Sequence, residues 1–214
     1  MCEFSQEQQY HAGLNVQGVI PTTLAAIVGT RSPSPEALEA AFTVARLLAG
    51  LGIGVVSGLA LGIDGAAHRG CLAGGGKTVA VLGHGLDRPI YPSAHANLAE
   101  LIAQDGALVS PYPAQESLRK EHLLARNRWI ATLARVVWVV QTGMPGGALA
   151  AAAHARRQGI PVLTSPWTDP HWQLGYESLL KHGAESIDVL SVTSRLQYLC
   201  TQPIDTPLQK CLTI

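Results

Sequence analysis

The sequence predicts an α/β fold built on a doubly wound, mostly parallel sheet. Three observations lead there. From Leu24 onward, short apolar runs alternate with helical stretches of about ten residues or more, each pair separated by Gly or Pro. The run Arg135-Val-Val-Trp-Val-Val is unbroken, as suits a central parallel strand covered on both faces. Hydrophobic residues make up 47% of the chain and charged residues 14%, which supplies enough apolar surface for a two-layered core.

The elements follow in order. Residues 1–23 are polar and without period, and read as an N-terminal extension. Leu24–Val28 is the first strand of a core domain spanning 24–191. Glu36–Ala49 is a helix, with Ser34 as N-cap and Pro35 at its first position. Ile53–Ser57 is a strand, Asp64–Ala73 a helix and Thr78–Leu82 a strand. Ser93–Gln104 is a helix capped by Ser93, and Ala107–Ser110 a short strand. A charged segment enters a helix that ends near Leu133. The central strand 135–140 precedes an Ala-rich helix, Gly147–Gln158. Pro161–Thr164 is a strand, Leu174–His182 a helix and Ile187–Leu190 an edge strand. Residues 192–214 read as a C-terminal tail.

Composition narrows the function. The 214 residues correspond to about one domain, and no run of 18 apolar residues could span a membrane. Fifteen basic residues balance 15 acidic ones, so any nucleic-acid binding must come from a local basic patch. Cys2, Cys71, Cys200 and Cys211 lack C-x-x-C spacing and read as reduced thiols. The first residues show neither the basic start nor the apolar stretch of a signal peptide, so a cytoplasmic location is expected.

Open parallel sheets bind ligands outside the carboxyl ends of their strands, which directs attention to five loops. Gly29-Thr-Arg-Ser offers donors from Thr30, Arg31 and Ser32 to an anion, or simply turns into a helix. It is not G-x-G-x-x-G, and Ser57 stands where a ribose-binding acid would end the second strand, which argues against NAD. Ser57-Gly-Leu-Ala-Leu-Gly-Ile-Asp forms a potential anion nest around Gly58 and Gly62. Asp64 and His68, four residues apart on one helix, form a candidate structural pair.

In the third loop, Gly83, His84 and Gly85 make a tight turn, and His84 can reach a phosphate or a ring. Tyr91, held between Pro89 and Pro92, either stacks a base or packs beneath the loop. The only concentrated basic cluster runs from Arg119 to Trp129, and Arg126, Asn127 and Arg128 in it suit phosphates. Gly146 and Gly147 open the Ala-rich helix with backbone amides suited to an anion. The remaining histidines show no metal-ligand spacing, so no metal or other cofactor is expected.

Three of these stretches together resemble the DNA-processing protein A (DprA/Smf) family: Ser57-Gly-Leu-Ala-x-Gly-Ile-Asp-x-x-Ala-His, Gly75-Gly-Lys-Thr-Val-Ala-Val-Leu-Gly-x-Gly-Leu-Asp-x-x-Ile-Tyr-Pro and Arg126-Asn-Arg-x-Ile-Ala. The match covers roughly residues 25–190. It implies an extended Rossmann-like core, shared with the LOG nucleotide hydrolases, that binds single-stranded DNA, often as a dimer. The implied pocket comprises the loops at 29–32, 57–62, 83–87 and 126–128.

The chain departs from the family at Leu61, where an Arg is usual, at Gly146-Gly-Ala-Leu-Ala-Ala, where hydroxyls are usual, and at Gln141, where a Glu ends the central strand. Only the core is matched, so a trimmed, divergent member is expected. The LOG signature Pro-Gly-Gly-x-Gly-Thr-x-x-Glu stops after Pro145-Gly-Gly, with no Glu for acid–base work, so the chain is expected not to be an enzyme.

The leading expectation is a single-stranded-DNA-binding protein, with a homodimer as its assembly; the Leu174–Leu180 helix face either serves that dimer or covers the sheet. The alternative is a regulatory or antitoxin subunit, in a toxin–antitoxin or phage-defence pair, that restrains an enzymatic partner protein. A nucleotide-sensing pocket is the third reading.

Overall fold

The computed structural model describes residues 14–203. Its sheet has eight strands in the order β1-β5-β4-β3-β2-β6-β7-β8. These are β1 (Asn15–Gly18), β2 (Leu24–Val28), β3 (Gly54–Ser57), β4 (Thr78–Val81), β5 (Ala107–Ser110), β6 (Val136–Val139), β7 (Val162–Thr164) and β8 (Glu185–Ser186). All neighbours pair parallel except β1, which runs antiparallel to β5 with Asn15 opposite Ser110.

The chain winds from β2 out to β5 and then returns to place β6 on the other side of β2. The sheet therefore changes winding direction between β2 and β6. A crevice opens at such a point, at the carboxyl ends of both strands.

The central strand shows why the sheet needs two helical layers. Val137 and Val139 face one hydrophobic cluster. Val136, Trp138 and Val140 face the other, as the period of two requires. On the first side lie α5 (Asn127–Thr132), α6 (Gly147–Arg157) and α7 (Gln173–Lys181). On the second lie α1 (Pro35–Gly50), α2 (Ile63–Ala73) and α8 (Val189–Thr201). A third, smaller cluster holds α3 (Ala96–Asp105) against β4 and β5. Trp138 is fully buried, and its indole N–H donates to Ser165 Oγ at 3.1 Å.

Ser34 caps α1 as its sequence position predicts, accepting from the Ala37 amide at 3.2 Å, with Pro35 opening the helix. Elsewhere the elements differ from the sequence reading. Residues 15–18 are an edge strand, fastened where Asn15 Nδ2 donates to the Tyr112 carbonyl at 2.6 Å. Ser93 starts a single 3-10 turn, Ser93–His95, and α3 begins after it. The helix expected to reach Leu133 is two short ones, α4 (Lys120–Ala125) and α5, joined at Arg126.

The expected edge strand at Ile187–Leu190 is also absent. The edge strand at this end of the sheet is β8, and Asp188 N-caps α8 by accepting from the Leu190 amide at 2.8 Å. The expected tail therefore begins inside a helix. Its residues Val192, Leu196 and Cys200, four apart, are buried against the cluster that contains α1. Among the described residues, no helix is long and apolar enough to cross a membrane.

Candidate functional site

The crevice between β2 and β6 is a cleft of about 500 Å³, within the range of small-ligand sites. Its rim is the loop after β2, with Gly29, Thr30, Arg31 and Ser32, facing the loop after β6, with Thr142, Gly143, Gly146 and Gly147. Three hydrogen bonds fix the loops to each other. The Thr30 amide donates to the Gln141 carbonyl at 2.8 Å, and the Ser34 amide donates to Gln141 Oε1 at 2.8 Å. Gln141 Nε2 returns a bond to Ser34 Oγ at 3.3 Å. The amide at 141 thus serves both sides of the crevice, a role that needs a donor and an acceptor on one side chain.

Gly146 is the N-cap of α6 and no side chain caps that helix, so its first amides and its positive dipole end open on the cleft. A Cβ at Gly146 would overlap Thr142 Oγ1, which is why the loop closes so tightly there. Behind the opposite rim, Gly62 has φ +75° and lies against the Thr30 and Arg31 backbone. Any side chain there would be strained and would push the Arg31 loop away. Arg31 is exposed, and its cation is available at the mouth.

The floor is built differently. Arg126 is only 4% exposed, and its Nη1 donates to the carbonyls of Gly58, at 2.6 Å, and Val81. Its Nε is buried without a partner. Burial pulls the guanidinium pKa down, while the charge of Asp64 pushes it up. Asp64 accepts from the amides of Gly58 at 3.1 Å and Ala60 at 3.4 Å. Burial raises its pKa against the opposing pull of Arg126 and those amides. A buried cation and a buried anion thus stabilise each other across the Gly58–Ala60 loop.

That loop carries strain. Leu59 adopts φ +59° with its side chain fully buried, a left-handed conformation that costs a Leu about 1–2 kcal/mol. The His95 Nδ1–H donates to the Leu59 carbonyl at 2.9 Å and holds it in place.

Several sequence expectations resolve here. Gly29, Thr30, Arg31, Ser32, Arg126, Asn127, Gly146 and Gly147 all line the cleft. Gly58 and Gly62 shape it from behind. Ser57 does not reach it, because its hydroxyl donates to the Ile27 carbonyl at 2.6 Å inside the sheet. The Gly83–Gly85 turn is also outside. Gly83 packs on the Leu123 side chain, and Gly85 lies under the Pro113 and Ala114 carbonyls. His84 is buried, with Nδ1 donating to the Gly85 carbonyl at 2.9 Å and Nε2 facing the Tyr91 amide at 3.4 Å, so no ring nitrogen is left for a phosphate. Tyr91 is 42% exposed and borders a small niche beside Arg31 and Leu61.

The Asp64–His68 pair does not form. His68 Nδ1 bonds Thr78 Oγ1 at 2.7 Å, and its Nε2 has no partner. The expected Arg126–Arg128 patch also divides. Arg126 points into the floor and Asn127 Nδ2 donates to the Gly147 carbonyl at 3.1 Å. Arg128 is exposed on α5, with its guanidinium 5.2 Å from the Trp129 ring.

Two cleft residues escape a reading confined to five loops: His171 and Trp172. They lie in the sixth strand-end loop, after β7, and their rings meet edge-on at 4.5 Å. The rule that located the other loops would have located this one.

A model of the family described as DNA recombination-mediator protein A matches residues 9–197. The chain belongs to this family. Protein Smf of Synechocystis sp. is 40% identical over 172 residues, which is 80% of this chain and 42% of its own length. The chain therefore spans less than half of that relative. Among solved structures, DNA processing protein A of Helicobacter pylori, described for its single-stranded DNA binding mode, superposes with a TM-score of 0.78. It is 30% identical, with 86% of each chain covered. DprA of Streptococcus pneumoniae gives 0.75 at 34% identity, covering 85% of this chain and 65% of its own. Both solved structures share the doubly wound fold of this chain.

Proposed function

We propose that this protein binds single-stranded DNA in the cleft between β2 and β6 and performs no chemistry on it. The observation that carries this reading is the concentration of donors around the cleft. Arg31, the hydroxyls of Thr30 and Ser32, and the uncapped amides of α6 converge on one crevice. Such a set suits phosphate oxygens. The kinship supports it, since the Helicobacter pylori protein is a single-stranded-DNA binder with the same sheet.

A binding role also accounts for the one carboxyl on the cleft. Asp64 is committed to two amides and to the field of Arg126, a structural assignment that withholds this carboxyl from acid–base work on a bound ligand.

Arg126 supports the floor rather than touching DNA in this arrangement, so Arg31 is the side chain to test. Fluorescence anisotropy of a labelled oligothymidine should show binding that weakens steeply with salt. Arg31→Gln should reduce affinity and lower the slope of log K against log salt by about 0.7, one phosphate contact on a single strand. An unchanged slope would remove DNA from the cleft. Competition by a mononucleotide at equal affinity would assign the cleft to a single nucleotide instead, which its volume of about 500 Å³ also accommodates.

A further inference from the structure

Outside the cleft, α5 and α6 bring a second set of cationic groups together. Thr132 Oγ1 donates to Gln158 Oε1 at 3.0 Å and fixes the far end of the α5–α6 seam. Asn127 Nδ2, bonded to the Gly147 carbonyl at 3.1 Å, fixes the end beside the cleft. Both helices therefore run the same way, from the cleft outward. One turn before Thr132 stands Arg128, and one turn before Gln158 stands His154. Arg157 Nη2 meets His154 Nδ1 at 2.6 Å. The guanidinium can only donate, so that imidazole nitrogen is unprotonated and accepts.

The cluster is crowded with like charge. Burial, then the charges of Arg157 and Arg128, holds His154 below its usual pKa. No carboxylate pairs with Arg128 or Arg157; the ion pairs among the described residues are Arg119–Glu116 and Arg195–Glu185. The dipole of α6 accounts for a cation in its last turn, such as Arg157. It does not account for Arg128, which another helix delivers to the same place against electrostatic repulsion. An incoming anion would relieve that repulsion.

We propose that Arg128, His154 and Arg157 form a second phosphate-binding surface, which receives the backbone of a single-stranded nucleic acid as it leaves the cleft along the α5–α6 seam. This rests on the cleft holding single-stranded DNA. His154 stands seven positions after Gly147 on α6, about 10 Å at 1.5 Å per residue, so the surface continues the cleft without sharing its donors. Trp129 lies beneath Arg128, packed against the core, and keeps the guanidinium raised over an aromatic face.

The test compares two labelled oligothymidines, one of about four nucleotides that occupies the cleft alone and one of roughly twenty that reaches the seam. Arg128 and Arg157 are exposed, so the Arg128→Gln/Arg157→Gln variant should keep the parent's thermal melt. On the long oligonucleotide it should lose affinity several-fold and lower the salt slope by about 1.4, two phosphate contacts, with Arg157→Gln alone giving half of that. On the short one it should bind as the parent does. Unchanged binding of the long oligonucleotide, or equal losses on both, would overturn the second surface. Arg31→Gln reports separately on the cleft: if it leaves the short oligonucleotide unaffected, the cleft reading fails. A parent chain that binds neither oligonucleotide overturns both assignments.

Discussion

The Arg126 guanidinium occupies the space where a side chain on Gly58 would stand. A Cβ at Gly58 would overlap its Nη1, Cζ and Nη2 atoms, all rigid parts of a buried group. The glycine and the arginine are therefore one feature of the cleft floor, although 68 residues separate them.

Coupling between the two follows directly. In the unsubstituted chain, Gly58→Ala should destabilise by about 1–3 kcal/mol, the usual cost of overpacking a core. Arg126→Ala should cost more, about 3–5 kcal/mol, because it strands the buried Asp64 carboxyl without its counter-charge. With Arg126 already truncated, Gly58→Ala should add little. Urea midpoints of the parent, both single variants and the double variant measure this. Strictly additive losses would show that the two residues do not compete for the space.

His68 should make stability depend on pH. Thr78 Oγ1 donates its one proton to the Val55 carbonyl at 2.8 Å, so in the 2.7 Å contact with His68 it must accept, and His68 Nδ1 carries the hydrogen. Protonation at Nε2 would then place an N–H in the interior with no acceptor. Burial first, then the charges of His95, Arg126 and Arg69, pulls the pKa down from 6.5 to about 3. The neutral ring's contribution is complete above pH 6.5 and is lost as the pH falls toward 3. Each unit in that window should cost up to about 1.4 kcal/mol. The unfolding free energy of the parent should drop faster between pH 7 and pH 4 than that of His68→Gln. Parallel curves would exclude a buried neutral histidine as the cause.

What the sequence made legible, and what it hid, has a physical pattern. The strands β2 to β7 announce themselves because each is a short apolar run buried on both faces. The cleft could be located because a doubly wound sheet binds at its strand ends, and the Gly29 and Gly146 loops sit there. Arg126–Arg128 misleads because residues two apart in sequence are about 200° apart around a helix, so the two arginines point to opposite sides. His84 and Ser57 looked available because polarity is visible in a sequence and burial is not. The pairing of Gly58 with Arg126, and of His68 with Thr78 rather than Asp64, depends on contacts between distant elements and has no local signature.

The two described cysteines should be unreactive in the folded state. Burial pushes the Cys71 thiol up to about 11 and the Cys200 thiol up to about 12. At pH 8 only about one Cys71 in a thousand would be the reactive thiolate, even if a reagent could reach it. In a Cys2→Ser/Cys211→Ser variant, labelling by a thiol-reactive disulfide should be slow and should accelerate in step with unfolding by urea. Rapid modification of either thiol without denaturant would contradict their burial.

Removal of residues 189–214 should unfold the domain rather than trim it. The segment from 189 to 201 is α8, and its Val192, Leu196 and Cys200 side chains close the side of the core formed by α1 and the sheet. Val192 and Leu196 are fully buried, and exposing side chains of this size costs about 1.5–3 kcal/mol each. Loss of all three, together with the apolar surface they cover on α1, amounts to a large part of the roughly 5–15 kcal/mol that holds a domain folded. Chains stopped after Asp188 should show no cooperative thermal transition and should bind a dye for exposed apolar surface. Chains stopped after Pro203 should keep the transition, since α8 and its cap at Asp188 are complete by then. A cooperative melt in the shorter chain would mean that α8 rests on a core already closed without it.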